Sequence, residues 1–350
     1  MNKFLPTLAV AWMLPAAAFA QSTVSIYGAI DAGLRYQTNV DAAGNGQLTM
    51  GSGNSFSNRL GFRGEEDLGN GLKARFRLES GFSSKSGALD NTNNVLFNRT
   101  ASVGLGGKWG YIDLGRQYTI GFRTELFLDP YDHHYTGIVP LSSGAGTTLP
   151  AAARTAGLGA SSSSGTRFNN DIQYTGTFGP WTLRAEHAPG ENAEDRSRGT
   201  AQALGVLYAG GPVLAGGAYT YKQTTAGLGN RAWIVGGGYK AKDLTVKAGV
   251  SRERQETAGG AGIYQNRTVF GGASYQVNGP VALTAAVYRS DYDGLVDGGS
   301  RTLYLLGGVY AFSKRSNIYA ELDLNRYSGA LVPSKQTSQR GVSLGLMHTF

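Results

Sequence analysis

Cysteine is absent from the 350 residues, so neither disulfides nor thiolate metal sites are open to this chain. Long apolar runs are missing as well. Beyond the first twenty residues no continuous apolar stretch is long enough to span a bilayer as a helix, which excludes helical membrane insertion. Charge comes without runs. The 32 Lys and Arg against 24 Asp and Glu give a formal +8, but the basic residues are scattered singly along alternating segments. A nucleic-acid-binding stripe is therefore not expected. Histidine is scarce, with 4 in the chain. His133 and His134 are adjacent and cannot share a strand face as metal ligands. His187 is the one plausible base for a serine relay, and no serine context points to it. Gly104-Leu105-Gly106 is not a dinucleotide fingerprint, because no helix follows it. These gaps leave no enzyme reading and no cofactor. No Gly-x-y period and no fixed-period repeat occur, so collagen and solenoids are excluded too.

What is present begins with a leader. Met1-Asn2-Lys3 is positive, Phe4 to Ala17 is mostly apolar, and Ala18-Phe19-Ala20 is a small-x-small site. This is expected to be a signal peptide over 1–20, cut between Ala20 and Gln21. The exported remainder, 21–350, reads as one domain. Losing Lys3 with the leader takes its charge from +8 to about +7. Glycine, at 53 residues, is about twice the average share of about 7%. The mean hydropathy of −0.22 looks soluble, but a membrane barrel with a polar lumen gives the same average.

The dominant signal is a period of two. Val24, Ile26, Gly28, Ile30, Ala32, Leu34 and Tyr36 share one face of the first segment, while Ser25, Tyr27, Ala29, Asp31, Gly33 and Arg35 share the other. Leu72, Ala74, Phe76 and Leu78 oppose Lys73, Arg75, Arg77 and Glu79 in the same way. The pattern returns at Leu244–Val250 and Ile318–Leu324. One face suits lipid, and the other suits only water or a polar lumen. Segments of about a dozen residues exceed ordinary strands of about 5–6 and match tilted spanning strands.

Connections alternate between two kinds. Tight turns lie at Gly69-Asn70-Gly71, Gly106-Gly107-Lys108, Phe178-Gly179-Pro180, Gly210-Gly211-Pro212, Ala241-Lys242-Asp243, Asn278-Gly279-Pro280 and Ser313-Lys314-Arg315. Longer polar loops lie near 37–57, 83–95, 118–166, 188–199, 222–229, 252–265, 290–300 and 327–339. Seven turns and eight loops make fifteen connections, hence sixteen strands. The expected fold is all-β: a 16-stranded antiparallel transmembrane barrel with short periplasmic turns and long extracellular loops, closed because lipid cannot satisfy a sheet edge.

The residues also resemble a family. Ser25-Ile26-Tyr27-Gly28 with Asp31, the run Arg59 to Ala74 containing Gly64-Glu65-Glu66-Asp67-Leu68-Gly69-Asn70-Gly71-Leu72, Asn98-Arg99 with Val103-Gly104-Leu105, Gly115-Arg116-Gln117-Tyr118, and Arg167 to Tyr174 are similar to the Gram-negative general porins of the β-proteobacterial and neisserial type. The likeness covers essentially the whole mature chain. It implies a homotrimeric outer-membrane channel for small hydrophilic solutes, anions included, or alternatively a channel specific for small anionic solutes or sugars. It also implies contact with outer-membrane lipids and lipopolysaccharide. In such proteins a terminal aromatic, here Phe350, is read by the outer-membrane assembly machinery.

The resemblance further implies that the third loop, 118–166, folds into the barrel and narrows it. That loop brings Glu125, Asp129 and Asp132, with Phe127, Tyr131 and Tyr135, and a Gly/Ser/Ala-rich tail over 142–165. Opposite it the family places basic side chains, here Arg59, Arg99 and Arg167, with Arg63, Lys73, Arg75 and Arg77 as neighbours. Alternation independently puts all of these but Arg99 on polar faces. Arg99 shares parity with Ala101, Val103 and Leu105, so a bulge, a place above the lipid, or a failed correspondence are all open. Basic residues facing carboxylates would set up a transverse field with a mild anion preference. Glu191, Glu194 and Asp195 form a loose acidic cluster that reads as a solvated loop.

Overall fold

The computed structural model describes residues 23–91, 94–132, 166–256, 263–293, 298–332 and 335–350. The expected leader with its Ala20–Gln21 cut, His133, His134, Tyr135 and the loop tail at 142–165 lie outside these residues.

The strands are β1 (Thr23–Gln37), β2 (Gln47–Ser52), β3 (Arg59–Gly69), β4 (Leu72–Gly81), β5 (Thr100–Gly107), β6 (Gly110–Tyr118), β7 (Arg167–Phe178), β8 (Trp181–Ala188), β9 (Ala201–Gly210), β10 (Val213–Gln223), β11 (Gly229–Ala241), β12 (Leu244–Glu256), β13 (Ile263–Asn278), β14 (Val281–Asp293), β15 (Gly299–Ala311), β16 (Ser316–Gly329) and β17 (Ser338–Thr349). Among the described residues one helix, α1 (Ile120–Leu128), interrupts them. From β3 onward each strand pairs antiparallel with the next. β1 then closes the ring, pairing β3 on one side and β17 on the other. The barrel thus has sixteen strands, β1 and β3 to β17. The extra strand, β2, lies within the first loop and continues the pairing of β1 above β3, from Ala32 to Gln37. All seven expected turns join the strands they were assigned to.

The two faces differ as a lumen differs from lipid. On β1 Val24 is 66% exposed while Asp31 is fully covered. Val103, Val235, Val269, Leu306 and Leu344 continue an exposed apolar face from strand to strand. Soluble monomers rarely show contiguous apolar patches above a few hundred Å², whereas a band around a whole barrel is a lipid-facing surface. Beside the short turns stand Trp109, Phe178, Trp181, Tyr239, Tyr275, Tyr310 and Phe312, all exposed. Tyr36, Tyr219, Trp233 and Tyr304 stand toward the loop end. Such aromatic girdles belong at the two membrane interfaces, where an apolar ring with a polar edge is best solvated. No helix among the described residues is long and apolar enough to cross a membrane.

The seam is fastened at the last residue. Phe350 N–H donates to the Gly28 carbonyl and Gly28 N–H donates to the Phe350 carbonyl, both at 3.1 Å. The Phe350 ring occupies the space where a side chain at position 28 would stand.

The buried apolar core is not between two layers but between the third loop and the inner wall. Ile120, Leu128 and Tyr131 pack with Ala203, Ala218, Ile234, Phe270, Ala286, Tyr288, Leu303 and Leu305.

Candidate functional site

The third loop enters the barrel because its first turn is capped and its apolar side has somewhere to go. Thr119 at the N-cap accepts the Phe122 N–H through its hydroxyl at 3.1 Å. The Ile120 N–H is satisfied by the Glu186 carboxylate of β8, at 3.1 and 3.2 Å. That carboxylate stands at the positive end of the helix, where negative charge is favoured. Below the helix the wall is cut away by glycine. A Cβ at Gly205 of β9 would come within 2.5 Å of Ile120, one at Gly236 of β11 within 3.2 Å of Leu128, and one at Gly272 of β13 within 2.8 Å of Pro130. At Gly307 of β15 it would meet the Tyr131 hydroxyl. Every second strand thus contributes a gap, and the loop lies in the resulting groove.

Polar contacts fix the far end. The Tyr288 hydroxyl of β14 donates to Asp129. Lys247 of β12 donates to the Asp129 carbonyl at 2.9 Å and to the Asp132 carboxylate at 2.6 Å. Ser274 of β13 donates to the Pro130 carbonyl at 3.2 Å.

This geometry changes the expected part of the acidic residues. Glu125 is 4% exposed and Asp129 is fully buried. Glu125 turns toward Thr220, Ala232 and Glu253 on the wall behind the helix, and Asp129 is held by Tyr288. They do not stand opposite the arginines as expected. Asp129, the residue that follows α1, fastens the loop through Tyr288, and Glu125 lies on the side of α1 that packs. Asp132 is half of the Lys247 ion pair.

The basic side chains gather on the opposite arc, β3 to β7. Arg63, Arg75 and Arg77 line a recess of about 400 Å³ with Ser25, Thr100, Ser102 and Gln117, and Arg123 of α1 completes it from the loop side. Each guanidinium is held. Arg75 makes a two-pronged pair with Asp113 of β6, with Nε to Oδ1 at 2.7 Å, and stacks 3.7 Å from the Tyr111 ring centre. Arg77 donates to the Tyr27 hydroxyl and to Glu79, both at 2.7 Å. Arg63 lies 5.2 Å from the Tyr27 ring centre. Arg123 donates to the Tyr118 carbonyl at 3.3 Å. Burial, followed by the repulsion of Arg77, pulls the Arg123 guanidinium below its ordinary pKa, yet an arginine so placed keeps its proton.

Above the recess Glu79 is fully buried and bridges Arg77 and Arg99, the latter at 2.8 Å. Arg99 also donates to the Tyr118 hydroxyl at 2.6 Å. It immediately precedes β5, so the pleat of that strand does not dictate its direction, and it joins the cluster despite its lipid-side parity. Arg167 rests 4.2 Å from the Tyr118 ring centre and donates to the Arg99 carbonyl at 2.7 Å. A bulge between Phe168 and Asp171 shifts the register of β7 against β6, so simple alternation across it does not hold. Arg59 lies 4.3 Å from the Phe56 ring centre. Lys73 pairs with Glu65 at 2.5 Å, two residues from the Asn70-Gly71 turn and well away from α1.

Sequence reading did not pick out Arg123, Tyr118, Tyr27, Glu79 or Asp113 as site residues. Glu79 sits on the polar face of its strand with Arg75 and Arg77, so alternation already carried that signal. Arg123 had none, since nothing in the chain announced which side of α1 would face the lumen. His187 stands outward beside Ile172, exposed. Asp195 pairs with Arg198 at 3.4 Å. Among the described residues no group of three His, Cys, Asp or Glu could hold a metal ion.

A sequence profile described as Gram-negative porin matches residues 7–330. Outer membrane porin protein 32 of Delftia acidovorans is 31% identical over the full length of both chains. A major outer membrane protein P.IB of Neisseria gonorrhoeae is 39% identical over 118 residues, 33% of this chain and 32% of its own. The solved structure of an anion-selective porin from Comamonas acidovorans superposes with a TM-score of 0.78 at 25% identity, covering 94% of this chain and 100% of its own.

Proposed function

The chain belongs to the Gram-negative porin family, and we propose that its lumen prefers anions because of the arginines beside the third loop. It is an outer-membrane porin, through which small hydrophilic solutes and ions diffuse passively. The observation that carries the anion preference is the recess formed by Arg63, Arg75, Arg77 and Arg123. Their four charges face two lining carboxylates, Glu65 and Asp113. In a narrow lumen with low-dielectric walls that excess raises the local anion concentration and opposes cations. The relative from Comamonas acidovorans, described as anion-selective, supports the same reading.

The constriction comprises Arg59, Arg63, Arg75, Arg77, Arg99 and Arg167 on one arc and α1, with its Arg123, on the other, while Asp129 and Asp132 hold the end of the helix in place. Lys73 lies outside it, nearer the periplasmic mouth. We further assign the working form as a homotrimer, residues 1–20 as a cleaved leader, and Phe350 as the residue engaged by the assembly machinery. Its place at the seam between β1 and β17 supports that last role, since the seam is where the barrel must close.

The test is the zero-current potential across a planar bilayer in a potassium chloride gradient. Chloride is expected to be preferred by about twofold or more. A potential of the opposite sign, reporting cation preference, overturns the proposal. Closure in three equal conductance steps would report the trimer in the same record.

A further inference from the structure

Tyr118 stands where β6 ends and the third loop begins. Arg116, on the outward parity of Ile112 and Leu114, already marks the end of the lipid-facing part of that strand. At Arg116 the register of β6 against β7 shifts, and the Tyr118 ring joins the arginine arc instead of continuing the outward face. Cations surround it. Arg99, just before β5, donates to its hydroxyl at 2.6 Å. The Arg167 guanidinium, at the start of β7, lies 4.2 Å from the ring centre, and that of Arg123 on α1 lies 5.9 Å from it. Arg59, at the start of β3, adds its charge to theirs. Phe122 of α1 stacks nearly parallel on the ring at 4.9 Å. Gln173 of β7 meets only the Tyr118 carbonyl, at 3.0 Å. The nearby carboxylates are engaged by arginine: Glu79 of β4 pairs with Arg77 and Arg99, and Asp90 of the second loop stands 4.0 Å from Arg99.

The fate of the phenol proton sets Tyr118 apart from the other tyrosines of this arc. Tyr27 donates its proton to Glu79 at 2.9 Å, and Tyr111 donates to Glu65 at 3.2 Å. The Tyr118 hydroxyl accepts from Arg99, and among the described residues no atom accepts the proton that it carries. Positive charge and donated hydrogen bonds favour the ionised form of an acid, while burial opposes it. Burial pushes the Tyr118 phenol up, but Arg99, Arg167 and Arg59 together outweigh it and bring the group below the ordinary phenol range.

We propose that Tyr118 is a titratable specificity residue of the constriction: above neutral pH it gives up its phenol proton to water, sets a negative charge among Arg59, Arg99, Arg123 and Arg167, and lowers the anion preference. The O–H bond breaks, the electron pair stays on the oxygen, and Arg99 then donates to a phenolate in a stronger, charge-assisted bond. The guanidiniums keep their protons throughout, so the field of the arc changes through the phenol and not through them. The inference rests on the anion reading of the constriction and names the residue by which pH tunes it.

The experiment reads the zero-current potential of the purified full-length protein in a potassium chloride gradient of low mean salt, about 0.1 M, where the field of a charge reaches about 10 Å. The pH is raised from about 7 to about 9.5, which stays below the ordinary lysine pKa of about 10.4. The chloride preference of the parent should fall by about twofold over that range. Y118F keeps the ring and has no proton to lose. It should start at the parental preference and hold it. R59Q removes a cation facing the phenol, so the midpoint of the fall should move up by about half a pH unit or more. The near-ultraviolet tyrosinate absorbance of the parent, less that of Y118F, should report a single phenol ionising below the remaining tyrosines. A parental preference indifferent to pH overturns the inference, as does an equal fall in Y118F, which would assign it to lysines or the chain's amino group. A midpoint unmoved by R59Q overturns it too, and so does a difference absorbance that titrates with the other tyrosines. A Y118F pore without the preference at about pH 7 overturns it in favour of a purely structural part for the hydroxyl. The two claims separate in the same records: cation preference at every pH refutes the anion reading and this inference with it, whereas an anion preference that ignores pH refutes only the part given to Tyr118.

Discussion

At the scale of single residues the lumen arginines are set by what neutralises them. Arg75 is the clearest case, because its two-pronged pairing with Asp113 cancels much of its charge while the Tyr111 ring holds it in position. Asp113→Asn removes the negative charge and keeps the shape. Tyr111 still holds the guanidinium, so the uncancelled charge remains beside the ion path. The chloride-to-potassium permeability ratio is expected to rise by about twofold, read from the zero-current potential. A fall in that ratio would mean that Asp113 acts on the pore by some route other than charge. The same scale shows where sequence reading stops. Alternation located Arg63, Arg75 and Arg77 because each lies inside a regular strand. It misled at Arg99, which stands one residue outside β5, where backbone direction is set by the loop. The family resemblance, and not alternation, gave Glu125 and Asp129 a lumen-facing part, since a carboxylate in a pore loop looks like pore lining until its burial is known.

At the scale of elements the turns were legible and the path of the third loop was not. A two-residue connection needs glycine, asparagine or proline at set positions, so Asn70-Gly71 and Gly279-Pro280 mark strand ends by local chemistry alone. The short strand β2 escaped notice because Gln47–Ser52 sits in a polar loop and pairs only with the upper part of β1. The groove under α1 is written in Gly205, Gly236, Gly272 and Gly307, but they are scattered over four strands and about a hundred residues. Only the closed barrel lines them up. Their purpose can be checked. Gly205→Val fills the gap beneath Ile120, where even a Cβ comes within 2.5 Å. Either α1 shifts into the lumen or the core strains, with an overpacking cost of about 1–3 kcal/mol. The expected result is a lower single-channel conductance together with a lower denaturation midpoint. Conductance and stability both at parental values would show that the groove does not position the helix.

For the whole molecule, the period of two and the count of fifteen connections were enough to specify a closed sixteen-stranded barrel, because closure is the one way such two-faced strands can avoid a bare edge in lipid. Neither signal reports how the lumen's charge is felt by an ion, and that depends on distance and on salt. The arginine recess measures about 400 Å³, a space roughly 7 Å on a side. The Debye length is about 10 Å at 0.1 M salt and about 3 Å at 1 M. At the lower salt the guanidinium field therefore reaches across the recess, and at the higher it is spent within half of it. Sieving by size has no such dependence. With the two sides of a bilayer held at a fixed concentration ratio and the mean salt raised from 0.1 to 1 M, the chloride preference should decline steadily toward the ratio of the ions' mobilities in water. A preference that stays constant over that range would place its origin in the width of the constriction and not in the charges of Arg63, Arg75, Arg77 and Arg123. A preference that declines, combined with the rise expected for Asp113→Asn, would assign it to the field of those side chains.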